Sequence, residues 1–394
     1  MTTTKTMAND NTAGHPPQLP LQHARGAIMF RRRFRRRTVG VFLIGALFVV
    51  ASCSGSTSEG SSSNETTSTA HRSSSATPAL TIPNAKWKPI DASLAGLGPQ
   101  TGLLVAKVTP EGTCEAIHEV AASTVRPIAS QFKLLVLGAL AEQIEAGKIS
   151  WNQELTVPEV RSLGNEGAKD ALQAAPAGAT FSVEHVATQM ISISDNTAAD
   201  MLVDLVGRDA VSQQFARWTD NAERNTPMLK TREMLLLHYA EGLGDEYLAT
   251  PQAERDAFLA DQVDPLSNAD IASGYTTEPR FIDEIEWFAT PDDLCRTFAG
   301  LQKLATNPKL APLDGVLSKE DFGLDLDPAE WPTVWYKGGS EAGVLTTGWL
   351  ATDADGGAYV VEVTIANPDA ALAQDAIPTD VKLVNEIFAL LGAS

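Results

Sequence analysis

Apolar and polar positions divide the chain into three stretches. Val39 to Val50 is an apolar run broken only by Gly40 and Gly45, and residues 54–84 are mostly Ser, Thr, Gly and Asn with few apolar positions. Beyond residue 85, apolar positions recur at strand and helix periods. Thr101–Val108 predicts a strand, Thr109-Pro110-Glu111-Gly112 a turn and Thr113–Val120 the returning strand of a hairpin. Ser130–Ala146 is apolar on most faces and rich in helix formers, with Gly147 placed to stop it. That pattern predicts a buried central helix with Ser130 at its N-terminal end. Residues 182–206 read as two helical pieces meeting at Ser194-Asp195-Asn196, and 207–310 as helices and loops, among them Thr231–Ala240 and Pro291–Leu304. Val334–Tyr336, Thr346–Ala351 and Ala358–Ala366 predict strands, the last two joined through Asp355-Gly356-Gly357. Pro378–Leu391 carries Val381, Val384, Ile387, Phe388 and Leu391 at helical spacing. Strands therefore lie at both ends of the body and helices in the middle. The expected class is α/β (α+β). An antiparallel sheet forms from residues 85–129 and 311–394, and an all-helical part, 130–310, is inserted between them.

Charge sharpens the division. Eight Lys and Arg residues against Asp10 give residues 1–53 a net +7, which leaves −26 on the rest of a chain whose total is −19. So acidic a body excludes nucleic acid as a partner, because that binding rests on basic groups neutralising phosphates. It reads as a soluble, non-associating surface, and a monomer is expected.

The N-terminus reads as an address. Arg31–Arg37 is a cationic cluster, the apolar run follows, and Ala51-Ser52-Cys53 closes it. This is the order of a bacterial signal peptide, and the run falls short of the roughly 20 residues that span a bilayer. Arg31-Arg32-Arg33-Phe34 reads equally as a twin-arginine signal or a generic positive region, and Met29 is an alternative start. Residues 54–84 lack the apolar surface to offset ordering entropy and read as a flexible tether.

Beyond Cys53, Cys114 and Cys295 remain, and the sequence leaves open whether they pair or stay as buried thiols. His15, His23, His71, His118, His185 and His238 show no metal-ligand spacing, so neither metal nor cofactor is expected. Phe281, Trp287 and Phe288 read as core.

Three short polar elements carry the candidate chemistry: Ser130-Gln131-Phe132-Lys133, Ser194-Asp195-Asn196 and Lys337-Gly338-Gly339. Ser130 and Lys133 are one helical turn apart on one face. A serine hydroxyl attacks only when a base removes its proton, and a desolvated lysine has the lowered pKa that such a base needs. A helix N-terminus beside the serine suits the negative charge of acyl transfer. Each element alone is common; the three in this order are not.

In that order they resemble the S-x-x-K, S-D-N and K-T-G elements of the class A β-lactamase and penicillin-binding protein superfamily. The likeness spans roughly residues 90–394 and is greatest to the β-lactamase-related lipoproteins of actinobacteria. It implies that Ser130 attacks the carbonyl, Lys133 takes its proton, and Ser194 passes a proton to the leaving group. Asn196 would bind both Lys133 and a substrate amide, and Lys337 would hold a substrate carboxylate. Gly339 and Ser340 would border the substrate, with the N–H groups of Ser130 and Ser340 as the oxyanion hole. Val50-Ala51-Ser52-Cys53 resembles a lipobox, which implies a lipid on Cys53, residues 1–53 as the signal, and a membrane-anchored domain over 85–394 that faces outside.

Two departures stand out. Gly338 replaces a hydroxyl residue, and Glu341 stands nearby, which argues against an anionic substrate. The E-x-x-L-N loop that activates the deacylating water is missing, and Glu233, Glu284 and Glu286 are weak substitutes. The expected substrate is a small molecule or a peptidoglycan-derived one, either a β-lactam or a related ester or amide. The alternative is an acyl-trapping or peptidoglycan-binding module without turnover.

Overall fold

The computed structural model describes residues 80–165, 168 and 170–393. The signal, Cys53 and most of the tether lie outside the described residues.

The strands are β1 (Gln100–Val108), β2 (Cys114–Val120), β3 (Arg126–Pro127), β4 (Glu154–Thr156), β5 (Thr180–Ser182), β6 (Phe288–Ala289), β7 (Thr333–Glu341), β8 (Val344–Thr352) and β9 (Ala358–Ala366). The helices are α1 (Asn84–Ala95), α2 (Lys133–Glu145), α3 (Val183–Ser192), α4 (Asn196–Val206), α5 (Arg208–Trp218), α6 (Thr231–Tyr239), α7 (Leu243–Ala249), α8 (Arg255–Phe258), α9 (Asn268–Gly274), α10 (Pro291–Ala305), α11 (Pro312–Leu317) and α12 (Ala376–Gly392).

One antiparallel sheet runs in the order β2-β1-β9-β8-β7, so the two chain ends interleave. Alternation along the strands sends residues to two cores. Leu103, Val105, Val361, Val363 and Ile365 face α1 and α12, where Trp87, Ile90, Leu94, Val384, Ile387 and Phe388 meet them. Leu104, Ala106 and Val360 face the helical side.

At the centre of the helical side is α2, which packs against α3, α4, α5 and α10. Every residue from Lys133 to Ala141 is buried, as the all-round apolar pattern predicts. Burying each leucine there contributes about 1.5–3 kcal/mol. Ser130 precedes the α-helix itself, in a 3₁₀ turn over Ala129–Phe132 that feeds directly into α2. Gly147, at φ +72°, ends the helix, since that conformation costs glycine no Cβ clash.

The third polar element sits differently from expectation. Strand β7 does not stop at Tyr336 but runs to Glu341, because Lys337, Gly338 and Gly339 pair with Gly348, Thr347 and Thr346. Strand β7 is also the sheet edge, leaving its outer side free to meet the Ser130 turn.

Cys114 and Cys295 form a disulfide that ties β2 to α10 across 181 residues. Closing so long a loop restricts the unfolded chain, and its loss costs about 2–5 kcal/mol. Cys295→Ala is expected to lower the free energy of urea unfolding by that amount under oxidising conditions, and to equal the wild type once a reductant opens the bridge.

Candidate active site

Two chain segments meet at one amine. Lys133, the first residue of α2, has no exposed surface. Its Nζ lies 3.0 Å from Ser130 Oγ, 2.7 Å from Ser194 O, 3.1 Å from Ser194 Oγ and 2.7 Å from Asn196 Oδ1. Ser130, Ser194 and Asn196 are each half-buried, around a lysine that is fully buried.

The junction between α3 and α4 is built by Asp195. Its Oδ1 accepts from Ala198 N at 2.8 Å, capping α4, and its Oδ2 accepts from Leu172 N at 2.6 Å. The buried carboxylate therefore faces the protein, and Ser194, at φ +57°, turns toward Lys133. A non-glycine residue in that region persists only where its surroundings hold it.

Asn196 departs from the role the resemblance implied. Its Oδ1 accepts from Lys133, but its Nδ2 donates to Leu163 O at 2.6 Å, within the loop between β4 and β5. Asn165 of the same loop accepts from Asn196 N at 2.8 Å and donates to Ser194 O at 3.4 Å. One N–H of the amide that was expected to meet substrate is held by this loop, which no motif marked.

Strand β7 supplies the fourth side. Lys337 is 2% exposed, and its Nζ donates to Ser194 Oγ at 3.0 Å and to Gly338 O. Gly339 lies against the nucleophile turn: a Cβ there would stand 2.4 Å from Ser130 N and 2.7 Å from Ile128 O. Only glycine lets the strand and the turn approach this closely. Gln131 ties the same two segments, donating to Lys337 O at 3.2 Å and to Glu362 at 2.9 Å. Ser340 is exposed at the strand end.

Gly338 does not open toward Lys133. A Cβ there would stand 2.2 Å from Tyr336 Oη and 3.0 Å from Thr346 O, so a hydroxyl side chain has no room. Glu341 also differs from expectation: it turns toward Glu286 and His238 rather than toward substrate.

Desolvation lowers the Lys133 pKa to about 7, against the opposing fields of Asp195 and Asp200. Burial, and then Lys133 itself, push Lys337 well below the usual lysine range. The hydrogen-bond geometry admits a neutral Lys133. Its two N–H groups serve the two carbonyl oxygens at 2.7 Å, Ser194 O and Asn196 Oδ1. Nζ also lies 3.0 Å from Ser130 Oγ, the distance at which a neutral amine's lone pair can take the hydroxyl proton. That is the arrangement of a base before proton transfer.

The glutamates weighed for water activation are placed elsewhere. Both Glu233 oxygens are engaged: Oε1 by Arg208 at 2.6 Å, and Oε2 by Arg208 at 3.1 Å and Lys230 N at 2.6 Å. Glu284 is exposed, and Glu286 is buried beside Trp287. Trp287 stacks on Phe132 at 3.8 Å, supporting the turn between Ser130 and Lys133 as core rather than as a cofactor box.

Gly339→Ala is expected to lower stability by about 1–3 kcal/mol through overpacking. It should also slow modification of Ser130 more than tenfold, read from unfolding curves and from labelling by a serine-reactive fluorophosphonate.

Comparison with known proteins places this geometry in a family. The fold matches a β-lactamase from Chitinophaga pinensis at TM-score 0.51 and 15% identity, covering 79% of this chain and 100% of that one. It also matches a variant of the last common ancestor of Gram-negative bacterial class A β-lactamases at TM-score 0.53 and 15% identity, covering 77% and 97%. At such identities the likeness is one of fold. No curated protein sequence matches significantly. The β-lactamase enzyme family model matches residues 88–377, most of the chain, and the protein therefore belongs to the β-lactamase enzyme family, with the class A β-lactamase-like fold.

Proposed function

We propose that the chain is an exported, lipid-anchored serine hydrolase that opens a β-lactam or a related ester or amide through an acyl-enzyme on Ser130. The observation that carries this reading is the position of Lys133 Nζ, buried and 3.0 Å from Ser130 Oγ. Neutral Lys133 takes the Ser130 proton as Oγ bonds to the carbonyl carbon. The resulting oxyanion is held by the N–H groups of Ser130 and Ser340. The proton then moves from Lys133 through the Ser194 hydroxyl, 3.1 Å away, to the departing nitrogen or oxygen. Lys337, also on Ser194, favours that transfer by holding the hydroxyl in place.

A second reading, acyl trapping without turnover, is favoured by the acids. Glu233 is engaged on both oxygens and Glu286 is buried against Glu341, so neither is free to activate a deacylating water. Under either reading the substrate is a small molecule or a peptidoglycan fragment. The lipid on Cys53 would hold the domain at the membrane surface.

A fluorescent penicillin and a chromogenic cephalosporin separate the readings. Colour development that is lost in Ser130→Ala supports hydrolysis; a stable label on Ser130 without colour supports trapping. Neither result would exclude both for β-lactams and direct the search to esters. The acylation rate is expected to rise with pH around a midpoint of about 7 as Lys133 loses its proton, and to fall about 10²–10⁴-fold in Lys133→Ala. Metabolic labelling with a palmitate analogue is expected to mark the wild-type chain and not Cys53→Ala.

A further inference from the structure

A buried acidic pair joins the nucleophile turn to the end of the edge strand, and acyl transfer does not use it. Glu286, just before β6, is 3% exposed. Glu341 is the last residue of β7, next to Ser340, with its side chain 13% exposed. The two carboxyl groups stand close enough to interact directly, and Glu286 lies beside the backbone of Ala129, immediately before Ser130. Glu286 Oε2 also accepts from Trp287 N. The neighbouring backbone is held in the same way, since Ile128 N donates to Trp287 O at 2.8 Å.

Two oxygens decide the protonation. Glu286 Oε1 and Glu341 Oε1 are both buried, and among the described residues no N–H or O–H group donates to either. Two carboxylates cannot both stay ionised at such range out of water; one proton between them supplies the missing donor. From α6, His238 and Tyr239 face the pair. His238 Nε2 lies 2.6 Å from Ile285 O and so carries a hydrogen, while its Nδ1 stands 3.7 Å from Glu341 Oε2.

We propose that Glu286 and Glu341 share one proton and act as a positioning strut between the Ala129–Ser130 turn and Ser340, so that losing the proton drives the turn and the strand apart and stops acyl transfer. The shared proton rests on the two buried oxygens that lack a donor; the effect on acyl transfer rests on the function proposed above. Burial and then the Glu341 charge hold the Glu286 carboxyl well above its ordinary range, so Glu286 keeps the proton. Burial also raises Glu341, but His238 opposes that shift.

The sign of the linkage follows. The unfolded chain releases the Glu286 proton near the usual carboxyl value of about 4.3, while the folded protein retains it. Above that pH the folded state binds more protons, and its stability falls as pH rises until the pair ionises.

Glu286→Gln is the test, because its amide N–H replaces the carboxyl O–H on Glu341 and does not titrate. Urea unfolding of the full chain from pH 5 to pH 9 should favour the variant increasingly, by up to tenfold per pH unit in the unfolding equilibrium. Labelling of Ser130 by a fluorophosphonate should fall at alkaline pH in the wild type and not in Glu286→Gln. The rise around pH 7 from Lys133 should be the same in both. Glu286→Ala, which leaves Glu341 without its donor, should label more than tenfold more slowly at every pH, with circular dichroism showing whether it folds. Parallel unfolding profiles for wild type and Glu286→Gln would overturn the shared proton. Divergent unfolding with identical labelling profiles would overturn the positioning role. Divergent unfolding with no label on Ser130 in either protein would uphold the shared proton and reject the acyl-transfer reading.

Discussion

Lys133 places a primary amine where water does not reach, and three segments distant in sequence are organised around it. Its two shortest contacts are carbonyl oxygens, which can only accept. A neutral amine satisfies both and keeps its lone pair for the serine; an ammonium would carry a desolvated charge. The cost of burying that nitrogen thus lowers its pKa to about 7, toward the neutral form. The same cost explains why the neighbours are so constrained. Asp195 is turned into the protein as a cap, Ser194 is held at positive φ, and Asn196 is gripped from both ends of its amide.

The edge strand imposes the second constraint. Because β7 has no partner beyond β8, its free side can be brought against the turn that carries the nucleophile. Gly339 permits the approach, and Gln131 fastens it by reaching from the turn to the Lys337 carbonyl. At the end of the strand, Glu341 and Glu286 complete the same join with buried acids. Strand and turn are thus held at several points along their length.

Much of this was legible beforehand. The interleaved sheet followed from strand patterns at both chain ends, and the buried α2 from an apolar surface on all faces. The three polar elements were visible as short motifs. What could not be read were partners separated by long stretches of chain. Gln131 and Lys337 are 206 residues apart, and Leu163 O has no side chain to signal its bond with Asn196. Glu341 read as an acid near the substrate that disfavours an anionic one, since nothing in its local sequence reveals Glu286 and His238 beside it. Gly338 read as a lost hydroxyl, whereas the space belongs to Tyr336, two residues away on the same face of the strand.

Local patterns determine elements, because hydrophobic period, capping residues and turn glycines act over a few neighbours. For this chain they indicated the sheet, the short motifs with their serine and lysine, and a helical stretch between the strands. The structure corrects that stretch by placing β4, β5 and β6 within residues 130–310, where runs of two or three residues are too short to show a strand period. Protonation and orientation are different quantities. They depend on dielectric surroundings and on donors and acceptors brought together by folding, and no window of sequence contains these. The neutral Lys133, the occupied amide of Asn196 and the inward Glu341 were accordingly decided by tertiary structure alone.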